Sequence, residues 1–222
     1  MFPRLPRAAF ILHPSSFILL LTLLPLSGCA AAGVLAYKVA GPPPVEAKFT
    51  PRQAAMLVLV ENFRNASSAQ AHSELLAAYL AEELTANKVA PLVPPEKLRE
   101  LQDARPGDYS RMSITAVGRA VGAEQILYVQ LQRSDVIPLQ GGDALQGQAH
   151  AVVKLIDAAT GDTLWPTDVS DGHAVSAGTS LGTQGGTDPM DVRQRMYRSL
   201  AVQIDRLFHK WKPDDMAPDP MR

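Results

Sequence analysis

The histidine, serine and cysteine side chains are the first candidates for chemistry in this chain of 222 residues. The five histidines are His13, His72, His150, His173 and His209. A protein zinc site usually includes ligands at a short spacing such as His-x3-His, and no two of these histidines have one. The only cysteine is Cys29. The sequence therefore predicts no metal site and no cofactor.

A nucleophilic serine would need a base and a sharp strand-to-helix turn, which in many hydrolases carries the pattern Gly-x-Ser-x-Gly. The segment Gly178–Gly182 places Ser180 third among its five residues. It lies, however, in a glycine-rich linker without the hydrophobic pattern of a strong strand before it. We therefore expect no hydrolase site here, and an unrecognised envelope enzyme stays an alternative.

The same linker, residues 178–187, precedes a predicted helix and could be compared with a phosphate-binding loop. No Gly-Lys-Ser/Thr sequence follows it, and Asp188 and Asp191 bring negative charge to the start of the helix. These carboxylates stabilise the helix dipole and would repel a phosphate. The sequence predicts a loop rather than an anion site.

Nucleic-acid binding is excluded as a function class by the charge of the chain. The formal net charge is −1. No stripe of lysine and arginine is present that would neutralise a phosphate backbone.

The amino terminus has the three parts of a secretory signal. Arg4 and Arg7 are its charged residues, Phe17–Leu24 is an uninterrupted apolar run, and small residues follow from Ser27. The apolar run is far shorter than the roughly 20 residues that a membrane-spanning helix needs, and Pro25 interrupts any extension. A retained transmembrane helix is therefore the less favoured alternative.

The tetrapeptide Leu26-Ser27-Gly28-Cys29 resembles the lipobox of bacterial lipoprotein precursors. The resemblance implies that the thiol of Cys29 carries diacylglycerol, that the chain is cut before Cys29, and that the new amino group is acylated. Each buried methylene contributes about 0.8 kcal/mol, so two or three acyl chains hold a protein firmly where one does not. We expect a protein anchored by lipid in the cell envelope, at the outer membrane and facing the periplasm.

Composition and patterning divide the chain into four predicted parts. Residues 1–28 are the signal peptide, residues 29–50 a lipidated cysteine and proline-rich tether, residues 51–213 a folded domain, and residues 214–222 a disordered tail. The tether contains Pro42, Pro43 and Pro44, which favour an extended polyproline conformation.

The hydrophobic pattern of the domain predicts an α/β fold. The expected order is a strand at 56–60, a helix at 69–88, a second short strand at 89–93, helices at 98–101 and 112–121, strands at 126–131, 148–156, 163–165 and 172–176, and a helical stripe from 192 to 211 ended by Pro213. This order predicts a mixed sheet, in which parallel strand–helix–strand units precede an antiparallel meander and a C-terminal helix.

Three segments in this order, Ala55–Phe63, Val117–Tyr128 and Leu155–Trp165, resemble a group of envelope lipoproteins. The group includes the penicillin-binding-protein activators of the LpoB type and the curli secretion lipoprotein CsgG, and the amino-terminal domain of TolB is similar. Structural roles can explain these residues: Gly122 ends a helix, Gly161 allows a hairpin turn, and Trp165 is a large apolar side chain expected to pack under a helix.

The leading function hypothesis is a non-enzymatic adaptor or regulator that binds another periplasmic protein. The LpoB branch implies a role in cell-wall synthesis. The CsgG branch implies a subunit of an outer-membrane secretion assembly, which inserts amphipathic hairpins into the membrane. The corresponding segment here, Val136–Gly147, is short and polar, whereas each inserted strand needs about 9–11 residues. The secretion subunit is therefore the alternative.

Overall fold

The computed structural model of the protein describes residues 42–62, 69–139, 144–179 and 188–213. Cys29, the rest of the predicted lipobox and the predicted tail at 214–222 lie outside these ranges. Glu46–Trp211 belong to one compact unit, and residues 42–45 and 212–213 belong to a second.

The compact unit begins with one strand followed by four helices, and its second half has four strands and a last helix. In chain order the elements are β1 (Met56–Asn62), α1 (Ala69–Ala86), α2 (Pro95–Ala104), α3 (Pro106–Tyr109), α4 (Ile114–Ala120), β2 (Gln125–Pro138), β3 (Leu145–Asp157), β4 (Thr163–Trp165), β5 (His173–Gly178) and α5 (Pro189–Asp205).

The five strands form one mixed sheet in the order β1-β2-β3-β4, and β5 pairs with β3 beside β4. β1 runs parallel to β2, from Met56 opposite Gln125 to Asn62 opposite Leu131. The pairs β2–β3, β3–β4 and β3–β5 are antiparallel. The predicted fold class, a mixed sheet with a parallel unit, an antiparallel meander and a C-terminal helix, is confirmed.

Helices α1 and α5 cover one face of the sheet. Leu76, Leu80 and Leu84 are fully buried, and their spacing of four places them on one side of α1. They share a core with Met56 and Val60 of β1. From α5, the fully buried residues Met196, Tyr197, Leu200 and Ile204 complete this core.

The opposite face of β1 packs against α4 and α2. Leu57 and Leu59 form a second core with Val117 of α4, and Leu98 of α2 packs against it. Gly118 allows the close contact, because a Cβ there would lie 2.5 Å from Cδ1 of Ile126 and the isoleucine side chain would have to shift. β1 is thus covered on both faces, as its continuous apolar run predicts.

The local signals at helix and hairpin ends are confirmed. Gly122 after α4 and Gly161 between β3 and β4 have φ angles of 78° and 84°, a region that glycine enters at low cost. Asp188 is the N-cap of α5, and its carboxylate accepts a hydrogen bond of 2.8 Å from the N–H of Met190. The carboxylate at the start of this helix therefore has a structural use.

Two predicted elements are shorter in the structure, and the strand predicted at 126–131 is longer, since β2 runs from Gln125 to Pro138. The run Val89–Val93 forms a single bridge, between Met56 and Leu92, because Pro94 and Pro95 start α2 directly after it. Helix α5 ends at Asp205 and does not continue to Pro213.

The early end of α5 has a packing cause. Two tight turns follow the helix and bury Leu207 and Phe208. The carbonyl of Leu207 accepts hydrogen bonds from the N–H groups of Lys48 and Phe49, at 2.8 and 3.1 Å. Residues 46–50, which the sequence assigns to the tether, thus belong to the compact unit.

Trp165 is half-buried rather than enclosed under a helix. Its ring lies edge-on to Phe208, with 5.6 Å between centroids, and 5.1 Å from the ring of His173. Trp165 therefore packs at the margin of the core, where the turn after α5 meets β4 and β5.

Candidate functional site

The predicted lipidation residues Leu26, Ser27, Gly28 and Cys29 lie outside the described residues, as does Ser180. Of the candidate loop at 178–187, the structure describes Gly178 and Thr179. Thr179 is used in the sheet, since its N–H donates to the carbonyl of Gly147 at 3.1 Å.

The four described histidines each have a different partner. The ring of His72 lies 6.0 Å from that of Tyr197, and Nδ1 of His150 is 2.8 Å from Oγ of Ser176. Nε2 of His173 is 3.3 Å from Nζ of Lys48, and Nδ1 of His209 is 3.2 Å from Oδ2 of Asp205. Among the residues that the structure describes, no group of three His, Cys, Asp or Glu side chains is placed to hold a metal ion. Within the same residues, no helix has the length and apolar character needed to cross a membrane.

The concave feature that the structure adds is a groove of about 400 Å³ along the outer edge of β1. We call it the β1-edge groove. Its floor is β1 itself, one wall is α1 and the other is α2. It is lined by residues 57–62, by Gln70, Ser73, Glu74, Ala77, Ala78 and Ala81 of α1, by Pro95, Leu98, Arg99 and Gln102 of α2, and by Leu92, Val93 and Tyr109.

The floor of the groove is an open strand edge. Backbone groups of a strand alternate in direction, and those of Met56 point outward, because its N–H donates to Pro91 and its carbonyl accepts from Val93. The N–H and C=O of Val58 and Val60 must therefore point outward as well. No backbone group elsewhere in the described chain bonds to them. Leaving such a group buried and unbonded costs about 1–3 kcal/mol, so these positions favour a bound partner or water.

The wall formed by α1 is built from small side chains. Ser73, Ala77 and Ala81 follow one another at intervals of four, so they lie on one side of the helix. Ala78 lies beside them and is exposed. Because these side chains reach only a short way from the helix, space is left between α1 and the edge of β1.

The wall formed by α2 is apolar near the sheet and polar toward solvent. Leu98 is half-buried against the core below, whereas Arg99 is exposed. α2 begins with Pro95 at its first turn, a position where proline's missing N–H removes no helical hydrogen bond.

Carboxylates line the groove beside β1 and α1. Glu61, near the end of β1, accepts a hydrogen bond of 2.7 Å from the hydroxyl of Tyr128. Burial, the hydrogen bond to Glu61 and its charge raise the pKa of Tyr128, so the phenol stays a neutral donor. Glu74 accepts from the amide of Gln70 at 3.0 Å. With Arg99 as the cation of the described lining, the groove carries more negative than positive charge.

A second cluster of titratable groups joins the ends of α1 and α5. Asp205 is 1% exposed, and its Oδ2 accepts from Nδ2 of Asn87 at 2.6 Å and lies 3.2 Å from Nδ1 of His209. Burial raises the pKa of Asp205 to about 6, while His209 and Asn87 act in the opposite direction. This carboxylate holds two helix ends together, and its surroundings are packed side chains.

Sequence reasoning identified β1 and α1 but missed the groove between them. The signal present in the sequence was the repeat Ser73, Ala77, Ala81 on the side of α1 next to its leucine stripe. That repeat alone does not distinguish a groove from a close helix contact. The open edge depends on which strands pair with β1, and pairing partners distant in sequence are not readable from local pattern.

Comparison with known proteins gives no sequence relative. No protein-family model matches the chain, and no curated protein matches it.

Solved structures give remote likenesses. Lipoprotein GNA1162 from Neisseria meningitidis is 14% identical at a TM-score of 0.44, with 68% of this chain and 97% of that chain covered. A PelC dodecamer from Paraburkholderia phytofirmans is 13% identical at 0.42, covering 76% and 95%. A minor lipoprotein from Acinetobacter baumannii is 12% identical at 0.37, covering 69% and 91%. At these values the likenesses assign neither a fold family nor a function.

Proposed function

We propose that the protein is a lipid-anchored lipoprotein of the bacterial cell envelope that acts as a non-enzymatic adaptor and binds another envelope protein in the β1-edge groove. The observation that carries the proposal is the groove itself, a concave apolar surface with outward backbone groups at Val58 and Val60. The lipobox resemblance at Leu26–Cys29 supports the anchor.

The lipid anchor and the β1-edge groove complement each other physically. Acyl chains on Cys29 would hold the chain at a membrane surface, where the segment before the compact unit gives it reach. Confinement at the surface raises the local concentration of the domain near membrane-associated partners. A groove of modest size can then act with modest intrinsic affinity, which suits regulation of a neighbouring protein, such as an enzyme of cell-wall synthesis.

The anchor is tested by replacing the single thiol. Labelled palmitate is expected to enter the wild-type protein and not Cys29→Ser, and inhibition of lipoprotein signal peptidase is expected to accumulate the uncut precursor. A mature wild-type protein that carries no label and leaves the membrane fraction would contradict the anchor.

The adaptor role is tested by crosslinking in intact cells from two positions on α1. A photoreactive residue replaces Ala78, which lines the groove, or Ala86, which is exposed at the end of the same helix outside the lining. We expect an adduct with a defined envelope protein from position 78 and not from position 86, identified by mass spectrometry. Equal adducts from both positions, or turnover of a substrate by the purified full chain, would contradict the proposal.

A further inference from the structure

We infer that the β1-edge groove binds its partner by strand addition: an extended segment of another polypeptide pairs with the outer edge of β1. The segment carries small apolar side chains and a lysine or arginine placed to meet Glu61 and Glu74. The inference rests on the proposed adaptor function and specifies the chemistry of its partner.

The backbone groups on the floor select an extended chain. Val58 and Val60 each present an N–H and a C=O outward, two residues apart. Along a strand this repeat is about 6.8 Å, and each position offers one donor and one acceptor. Another extended backbone matches that array with its own alternating groups, which is the basis of recognition by strand addition.

The chain itself shows that this edge accepts a further strand. At Met56 the segment around Leu92 pairs in parallel with β1, through hydrogen bonds of 2.8 Å to Pro91 and 2.9 Å from Val93. Beyond Val93 the chain turns away into α2. The next outward positions, Val58 and Val60, continue the same line. A bound segment there would extend a pairing that the fold has already started.

The walls define the side chains of that segment. Alternate residues of a strand point to opposite faces, so one set would meet Ala77, Ala78 and Ala81 of α1 and the other Leu98 of α2. Both sets meet apolar surface, which favours apolar side chains, and the groove volume of about 400 Å³ favours small ones.

Charge complementarity supplies the remaining feature of the partner. Glu61 and Glu74 are carboxylates in the lining, and Arg99 is the cation among the described lining residues. A basic side chain in the bound segment would offset the excess negative charge, whereas an acidic one would add repulsion.

The test begins with a library of random peptides of about 12 residues displayed on phage. It is selected against the full chain in detergent, and enriched sequences are synthesised and their Kd measured by fluorescence anisotropy. We expect enrichment of extended apolar sequences that contain lysine or arginine. Methylating the amide nitrogens that face β1 should weaken binding about tenfold or more, whereas methylating the intervening ones should change it less than about threefold. A period of two in this scan is specific to strand pairing.

Protein variants provide the matched control. Ala78→Trp fills the groove and is expected to weaken peptide binding at least about tenfold, while Ala86→Trp, the same substitution on the same helix outside the lining, leaves it unchanged. Circular dichroism verifies that both variants fold. Should Ala78→Trp misfold, Arg99→Glu replaces it, which should weaken binding of acidic peptides relative to basic ones.

Three results of the peptide experiments would overturn the inference: no enrichment of any peptide sequence, a methylation scan without a period of two, or peptides that bind Ala78→Trp as well as wild type. Self-association of the full chain that Ala78→Trp abolishes would also overturn it, because the occupant of the groove would then be a second copy of this chain. If a partner crosslinks from position 78 but one of these results is found, the adaptor function is supported and strand addition is wrong. If no partner crosslinks from position 78 but the peptides bind as expected, strand addition is supported and the adaptor function is wrong.

Discussion

The outer sides of two strands, β3 and β1, are paired to different extents. Along the outer side of β3, β5 pairs with Gln148–Val153 and β4 pairs with Leu155 and Ile156, so nearly the whole length is bonded. Along the outer side of β1, one bridge at Met56 is followed by outward backbone groups at Val58 and Val60. The chain itself pairs with the outer side of β3, whereas the outer side of β1 is an open edge that faces a lined groove.

This contrast indicates that the open edge of β1 is a built feature of the fold. Proteins usually protect an exposed edge with lysine, proline or a bulge, because a bare edge promotes aggregation. β1 has the sequence Met-Leu-Val-Leu-Val before Glu61, with none of these devices, and it pairs with β2 without a shift of register. Its protection comes instead from α1 and α2, which line the groove on either side of it.

The largest expected effect comes from loosening the wall of the open edge. Leu80→Ala removes a fully buried side chain that fixes α1 to the sheet, and it should lower the free energy of unfolding by about 2–5 kcal/mol. Glu82→Ala, on the exposed side of the same helix, should change it by less than about 0.5 kcal/mol. Urea denaturation measures both. A loss below about 1 kcal/mol for Leu80→Ala would mean that α1 is not packed as described.

The paired side of β3 should respond less to loss of the aromatic contact made by β4. Trp165→Ala removes a half-buried ring that contacts Phe208, and about 2 kcal/mol of stability should be lost, less than for a fully enclosed tryptophan. Thr163→Ala, exposed on the same strand, serves as the control in thermal unfolding. Peptide binding to the groove should not change; a large loss of binding would show that the groove at β1 is coupled to the region around β4.

A pH titration probes the contact between the ends of α1 and α5. The carboxylate of Asp205, the last residue of α5, accepts a hydrogen bond from Asn87, which follows α1. The pKa of Asp205 is raised to about 6 in the folded state, so the folded protein binds the proton more tightly than the unfolded chain. The contribution of this group to stability therefore falls as pH rises from about 4 through 6, by roughly 1–2 kcal/mol. Asp205→Asn should remove this dependence, measured as the difference between the two unfolding curves across pH. An unchanged profile would contradict the assignment.

The smallest stability effect is expected at the open groove itself. Ala78→Trp places a large side chain over exposed space, so the free energy of unfolding should stay within about 0.5 kcal/mol of wild type. Ala86→Trp should behave in the same way. Destabilisation by more than about 2 kcal/mol at position 78 alone would show that the groove is closed against the sheet.

Local chemistry made much of the fold predictable. Gly122 and Gly161 adopt the positive φ that their positions require, and the Asp188-Pro189 start of α5 follows from capping and from proline's missing N–H. The leucine stripe of α1 and the apolar run of β1 report burial directly, because each places its hydrophobic residues on a definite face.

Features set by distant partners could not be predicted. The helical stripe continues in sequence to Trp211, but the chain leaves the helix after Asp205 because Leu207 and Phe208 are buried in a turn that bonds to residues 48–49. Val89–Val93 has the composition of a strand, yet it pairs with β1 through a single bridge, between Leu92 and Met56. The groove could not be predicted for the same reason, because β1 is an open edge only where no other strand pairs with it.

Amide hydrogen exchange, followed residue by residue by NMR on the full chain, tests the open edge most directly. Leu57 and Leu59 direct their N–H groups to β2, whereas Val58 and Val60 direct theirs into the groove. We expect alternation along β1, with Val58 and Val60 exchanging at least about a hundredfold faster than Leu57 and Leu59, and becoming protected when a groove-binding peptide is added. Equal, slow exchange at all four amides without peptide would show that the edge is already paired, and would contradict the open edge and its proposed role.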